Sequence, residues 1–154
     1  MEERDRELEE LLNSIARKMA SGGSRLEEAE EDGRVKEPVK YIADYASFRE
    51  AVCKHPIVVA IFTSPTCPAC RMYKPIFYRY ASMASRKLRG RVGFIEVDVY
   101  YAYEAAMEVG VMATPTTVIF HNCRPVDGFA GVVDEETLHE ILAPYLEEAS
   151  EEAQ

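Results

Sequence analysis

Two cysteines separated by Pro68-Ala69 sit where an apolar, β-branched run meets a helix-forming stretch, and nothing else in this 154-residue chain restricts the fold as tightly. The run Val58-Val59-Ala60-Ile61-Phe62 is short and continuous, the pattern of a strand buried on both faces. Arg71 to Tyr80 reads as helix. Cys67 therefore falls at a helix start, where free N–H groups and the positive end of the dipole favour a thiolate. Cys70 falls one turn on, close enough to pair with Cys67 or to resolve a mixed disulfide. Arg71 and Lys74 either add positive potential there or stand as ordinary exposed bases. Redox exchange is the favoured chemistry. A structural disulfide and half of a zinc site compete with it. The zinc reading is weak because Cys53, His121 and Cys123 make no second Cys-x-x-Cys pair, so no metal is expected.

Charge divides the chain into three parts. Residues 1–33 hold 11 acidic and 5 basic side chains, residues 34–146 hold 12 and 13, and residues 147–154 add four glutamates to a net charge of −9. The expected organisation is an acidic helical extension (1–33), a near-neutral domain (34–146) and an acidic tail (147–154). A neutral domain between acidic ends lacks the basic footprint of a nucleic-acid binder. Arg86, Lys87, Arg89 and Arg91 cluster, but read as a solvated helix end. No apolar run reaches the length of a membrane helix, and the acidic start Met1-Glu2-Glu3-Arg4-Asp5 lacks the order of a secretory signal, so the cytoplasm is the expected location.

Periodicity fills in the elements. Leu8, Leu11, Leu12, Ile15 and Met19 form one apolar stripe of a helix over 3–20, ended by Ser21-Gly22-Gly23. The stripe needs a surface: its own domain first, a second copy (a homo-oligomer) or another protein otherwise. Ser24-Arg25-Leu26-Glu27 opens a further short helix. Val39 to Ile42 is a strand, and Ser47-Phe48-Arg49-Glu50 reads as a capping box opening a helix to about Lys54. Strand 57–63 precedes a helix from about Pro68 to Leu88, kinked near Pro75. Then follow strand 92–97, a helix over 102–108 stopped by Gly110, and strands 116–121 and 126–130 turning around Asn122-Cys123-Arg124. Asp134 caps a last helix with Leu138, Ile141, Leu142, Tyr145 and Leu146 on its apolar face, weakened at Pro144 and frayed from Glu147. The order β-α-β-α-β-α-β-β-α implies an α/β fold, a mixed sheet with helices on both faces.

Val58 to Phe77 resembles the active-site segment of the thioredoxin family: strand, Cys-x-x-Cys, then a helix with a basic residue and Met after the second cysteine and Pro five residues past it, here Arg71, Met72 and Pro75. Ala113-Thr114-Pro115-Thr116 resembles the family's cis-proline turn, and Gly131 its glycine after the next strand. The resemblance spans roughly Val39 to Leu146. It implies a thioredoxin-like fold and a thiol–disulfide oxidoreductase that reduces or exchanges protein disulfides. It further implies Cys67 as nucleophile and Cys70 as resolving thiol, with Pro68 and Ala69 as the spacer. Thr66, Ala113, Thr114, Pro115, Gly131 and Val132 would form the substrate surface. No bound cofactor is implied, and electrons would come from a thioredoxin-reductase-like flavoprotein.

The chain departs from that pattern. The family's Trp before the first cysteine is Thr66, its Gly-Pro spacer is Pro68-Ala69, its buried Asp is Ile61, and the accompanying Lys is Phe94. Water or Glu96 then stands as the proton acceptor for the resolving thiol. Thr66-Cys67-Pro68-Ala69-Cys70 also resembles glutaredoxins, which keeps a glutathione-dependent reductase as an alternative; a partner-binding module on the same fold is another. The absence of a Thr-Val-Pro before the later strand counts against glutathione. Cys53 and Cys123 should share the end of the sheet opposite Cys67. Free thiols are expected there, with a bond as the alternative if their Cα atoms come within about 7 Å.

Overall fold

The computed structural model describes residues 37–88 and 90–152. The expected helices within residues 1–36 lie outside that range. All seven residues of the strand Ile57–Thr63 are buried, so it shows no polar alternation. It is β2, with β1 at Lys40–Ile42, β3 at Val92–Asp98, β4 at Thr116–His121 and β5 at Arg124–Ala130. The sheet order is β1-β3-β2-β4-β5. β3 runs parallel to β2, pairing Ile57 with Val92 and Thr63 with Asp98; β4 runs antiparallel to it, pairing Ile57 with His121 and Phe62 with Thr116. β5 is an exposed edge, and Pro125 sits in it at a register irregularity, where a missing N–H does least harm.

Helices cover both faces. Tyr45–Val52 (α1) and Tyr103–Val109 (α3) pack Phe48, Val52 and Ala105 against Val58, Ala60, Phe62, Ile95 and Phe120. Pro68–Lys87 (α2) and Glu135–Glu152 (α4) pack Tyr73, Phe77, Leu138 and Leu142 against Val59, Ile61 and Phe94. Burying one such side chain removes enough apolar area from water to contribute roughly 1.5–3 kcal/mol.

Local chemistry explains the boundaries. α1 starts earlier than expected: Asp44 is the cap, accepting from the Ser47 N–H at 2.7 Å and the Ser47 hydroxyl at 2.8 Å. Ser47 thus sits inside the first turn, because the stronger acceptor three residues upstream takes its N–H. The same bonds hold the Asp44 carboxyl below the usual range. Gly110 ends α3 at φ 85°, where a side chain would be strained. Asp134 accepts from the Thr137 N–H at 2.8 Å at the start of α4. α4 contains Pro144 and runs past Glu147 to Glu152, with Ala149 only 2% exposed, so the fraying expected from Glu147 is absent.

Candidate active site

β2 delivers the chain to the C-terminal edge of the sheet, and a turn from Ser64 to Thr66 places Cys67 as the N-cap of α2. Cys67 is extended (φ −104°, ψ 107°), and its Sγ accepts from the Cys70 N–H at 3.1 Å. Pro68 follows at the first helical position, where its missing N–H has no partner to lose. Cys67 and Cys70 are joined as a disulfide with Cα atoms 5.2 Å apart. The two sulfurs differ in access: Cys67 is half-buried and Cys70 is 1% exposed.

The second wall comes from far along the chain. The Thr114–Pro115 peptide is cis, and the Thr114 carbonyl oxygen lies 3.4 Å from Cys67 Sγ. The Thr116 hydroxyl donates to the Ala113 carbonyl at 2.6 Å. The Gly131 N–H donates to the Pro115 carbonyl at 2.8 Å, from a backbone at φ 97° that glycine alone adopts freely. The structure thus brings Cys67, Cys70, Ala113, Thr114, Pro115 and Gly131 to one place. Thr66, Pro68 and Val132 are exposed, and Ala69 is half-buried.

Behind the dithiol lies a buried polar cluster. Glu96, 2% exposed, accepts from the Thr63 hydroxyl at 2.7 Å and the Tyr78 hydroxyl at 2.5 Å, and pairs with Lys74 Nζ at 2.8 Å. Burial, then the bond to Glu96, drives the Tyr78 phenol well above its ordinary range. Lys74 therefore turns inward rather than simply lending potential to Cys67. Glu96 pairs in register with Ile61 across neighbouring parallel strands, so the carboxylate absent from β2 is present on β3, on the same face. Its sequence signal was an acid between two apolar strand residues, Ile95 and Val97; the inward turn of Lys74 had none. Tyr73 donates or accepts at 2.8 Å with the Thr117 hydroxyl, and burial pushes its ionisation up to about 12. Among the described residues no buried side-chain polar atom lacks a partner, no group of three or more His, Cys, Asp or Glu side chains could hold a metal, and no helix is long and apolar enough to cross a membrane.

A half-exposed N-cap cysteine bonded to a buried one, facing a cis-proline loop on a mixed five-stranded sheet, defines the class: a dithiol–disulfide exchange protein. The thioredoxin family model matches residues 39–144. Thioredoxin from Malassezia sympodialis is 32% identical over 93 residues, covering 60% of this chain and 86% of that protein. Thioredoxin from Ophiophagus hannah is 31% identical over 110 residues, covering 70% and 99%. The crystal structure of the Malassezia sympodialis protein superposes with a TM-score of 0.62 at 30% identity, covering 70% of this chain and 90% of that one. The chain belongs to the thioredoxin family and is a protein-disulfide oxidoreductase.

Proposed function

We propose that Cys67 is the attacking thiolate and Cys70 the resolving thiol in reduction of protein disulfides. One observation carries the assignment: Cys67 caps the helix and reaches solvent, while Cys70 is 1% exposed. The Cys67 thiolate attacks a substrate sulfur, the substrate S–S bond breaks, and one substrate sulfur leaves and takes a proton. Cys70 then attacks Cys67 Sγ in the mixed disulfide. Its own proton passes inward to Glu96, the second substrate sulfur leaves, and the Cys67–Cys70 bond forms. Two features support Glu96 as that acceptor. Cys70 and Lys74 are one helical turn apart, and Lys74 holds Glu96 at 2.8 Å.

The loop backbone at Ala113 and Thr114, with Pro115, Gly131, Val132 and Thr66 around it, is the surface on which an extended substrate strand lies against Cys67. No bound cofactor is required. A thioredoxin-reductase-like flavoprotein returns the disulfide to the dithiol, in the cytoplasm. Residues 34–146, continued by the rest of α4 to Glu152, are the working domain, and the stripe within 1–33 serves binding of a partner or of a second copy.

The test is reduction of insulin disulfides with dithiothreitol as electron source, followed by mixed-disulfide trapping. Cys67→Ser should abolish turnover and trap nothing. Cys70→Ser should accumulate mixed disulfides, because attack proceeds without resolution. Equal trapping by both variants overturns the assignment.

A further inference from the structure

Cys53 and Cys123, expected as free thiols, are bonded, with Cα atoms 4.6 Å apart and a sequence separation of 70. The bond has a topological cause: β4 runs antiparallel beside β2, and the pair Ile57–His121 brings the start of one strand to the end of the other. Cys53 follows α1 and Cys123 sits in the turn between β4 and β5. We propose that this bond is a second thiol–disulfide exchange site, opened by attack at Cys53 with Cys123 as the leaving group.

Access sets the polarity. Cys53 is exposed and Cys123 half-buried, so Cys53 is the more accessible residue of the pair for an incoming thiolate. The surroundings favour the other sulfur as leaving group. A cavity of about 440 Å³ beside Cys123 is lined by Arg49, Arg124, Phe48, Phe120 and Glu108. Glu108 lies 3.7 Å from Arg49 and offsets one guanidinium, which leaves the lining of that cavity with one net positive charge. A cation near a thiol lowers its pKa and makes it leave faster.

The backbone at Cys123 is one that side chains rarely adopt. Asn122 and Cys123 form a two-residue turn with φ 50° and 74°. Such turns favour Asn-Gly, since a side chain at the second position is strained. The turn is also tied by the Asn122 N–H to the Pro56 carbonyl at 2.9 Å, a contact between the two cysteine-bearing segments that does not depend on the disulfide.

The reaction balances with an external dithiol. One of its thiolates attacks Cys53 Sγ, the S–S bond breaks, and Cys123 leaves as a thiolate that takes a proton from water. The reductant's second thiol attacks the mixed disulfide and releases Cys53, which is protonated in turn. Two electrons reach the chain, and the dithiol becomes a disulfide. Within one chain the two centres stand at opposite ends of β2, roughly 20 Å apart for a strand of that length, so the reductant is a separate molecule. The reduced Cys67–Cys70 pair of another copy has the right chemistry.

The test uses the full chain carrying Cys67→Ser and Cys70→Ser, exposed without denaturant to graded glutathione or dithiothreitol, acid-quenched, alkylated and peptide-mapped. Wild-type chain gives the same readout should the variant misfold, because Cys53 and Cys123 lie in other peptides. The expected result is reversible opening in the folded chain, with the early glutathione adduct on Cys53 about tenfold over Cys123. Reduced wild-type chain should open the bond in the variant. Opening only in denaturant, an adduct mainly on Cys123, or both cysteines alkylating without reductant would each overturn the proposal.

Discussion

Lys74→Met tests the buried cluster directly. Methionine keeps much of the aliphatic stem and removes the ammonium 2.8 Å from Glu96. Stripping one partner from a buried ion pair costs about 3–5 kcal/mol, because the remaining charge is left without compensation. Two features reduce that figure. The Lys74 side chain is 41% exposed, so water already weakens the pair. Both Glu96 oxygens also keep a hydroxyl donor, from Thr63 and Tyr78. The expected loss is therefore about 2 to 3 kcal/mol in urea unfolding of the oxidised chain. Glu96→Gln removes the charge from the other side, and the double variant should recover at least about 1 kcal/mol relative to additivity. The same variants separate structure from chemistry. Glu96→Gln should slow resolution of a preformed Cys67 mixed disulfide by about tenfold or more while leaving the first attack unchanged. That deficit should shrink as pH rises, because the Cys70 thiol then ionises unaided. If Lys74→Met costs under about 0.5 kcal/mol and the double variant is additive, the pair is not formed in solution and the proton path through it fails.

Alkaline unfolding should be steep between pH 10 and 12. Burial raises the Tyr73 and Tyr80 phenols to about 12, and a hydrogen bond to Asp98, followed by burial, does the same for Tyr41. In the unfolded chain these groups ionise near 10.0, so the stability held below that pH is lost as pH climbs through the folded values. Fully buried Tyr73 should account for roughly 2 to 3 kcal/mol of the loss. Tyrosinate absorbance in the folded chain checks this, and nine tyrosines all titrating near 10.0 would refute it. Cys53→Ser with Cys123→Ser should lower the stability of the oxidised chain by roughly 2–4 kcal/mol, since the bond closes a long loop. A change below about 1 kcal/mol in chemical denaturation would show that the loop is already constrained without it.

Much of the active end was legible because its signals are local. An apolar run before Cys67, a proline at the first helical position and helix-forming residues beyond it are all set within a few residues. The buried face of α4 was equally readable from Leu138, Leu142 and Leu146, because helical period alone selects that face. The cap of α1 is less legible in the sequence than the cap of α2. Ser47 and Asp44 both make plausible caps, and only the backbone path decides which accepts.

What the sequence alone determined, then, is where the dithiol lies, which elements flank it, and, through the family resemblance, the cis-proline loop that faces it. The remainder follows from register and from side-chain direction through the sheet. Glu96 meets Lys74 because β3 lies parallel beside β2 and sends that carboxylate to the face that α2 covers. Cys53 meets Cys123 because antiparallel pairing of β2 with β4 brings together residues 70 positions apart, to a Cα separation of 4.6 Å. Neither distance is encoded by spacing along the chain, since each arises only once the strands have paired and the helices have closed over them.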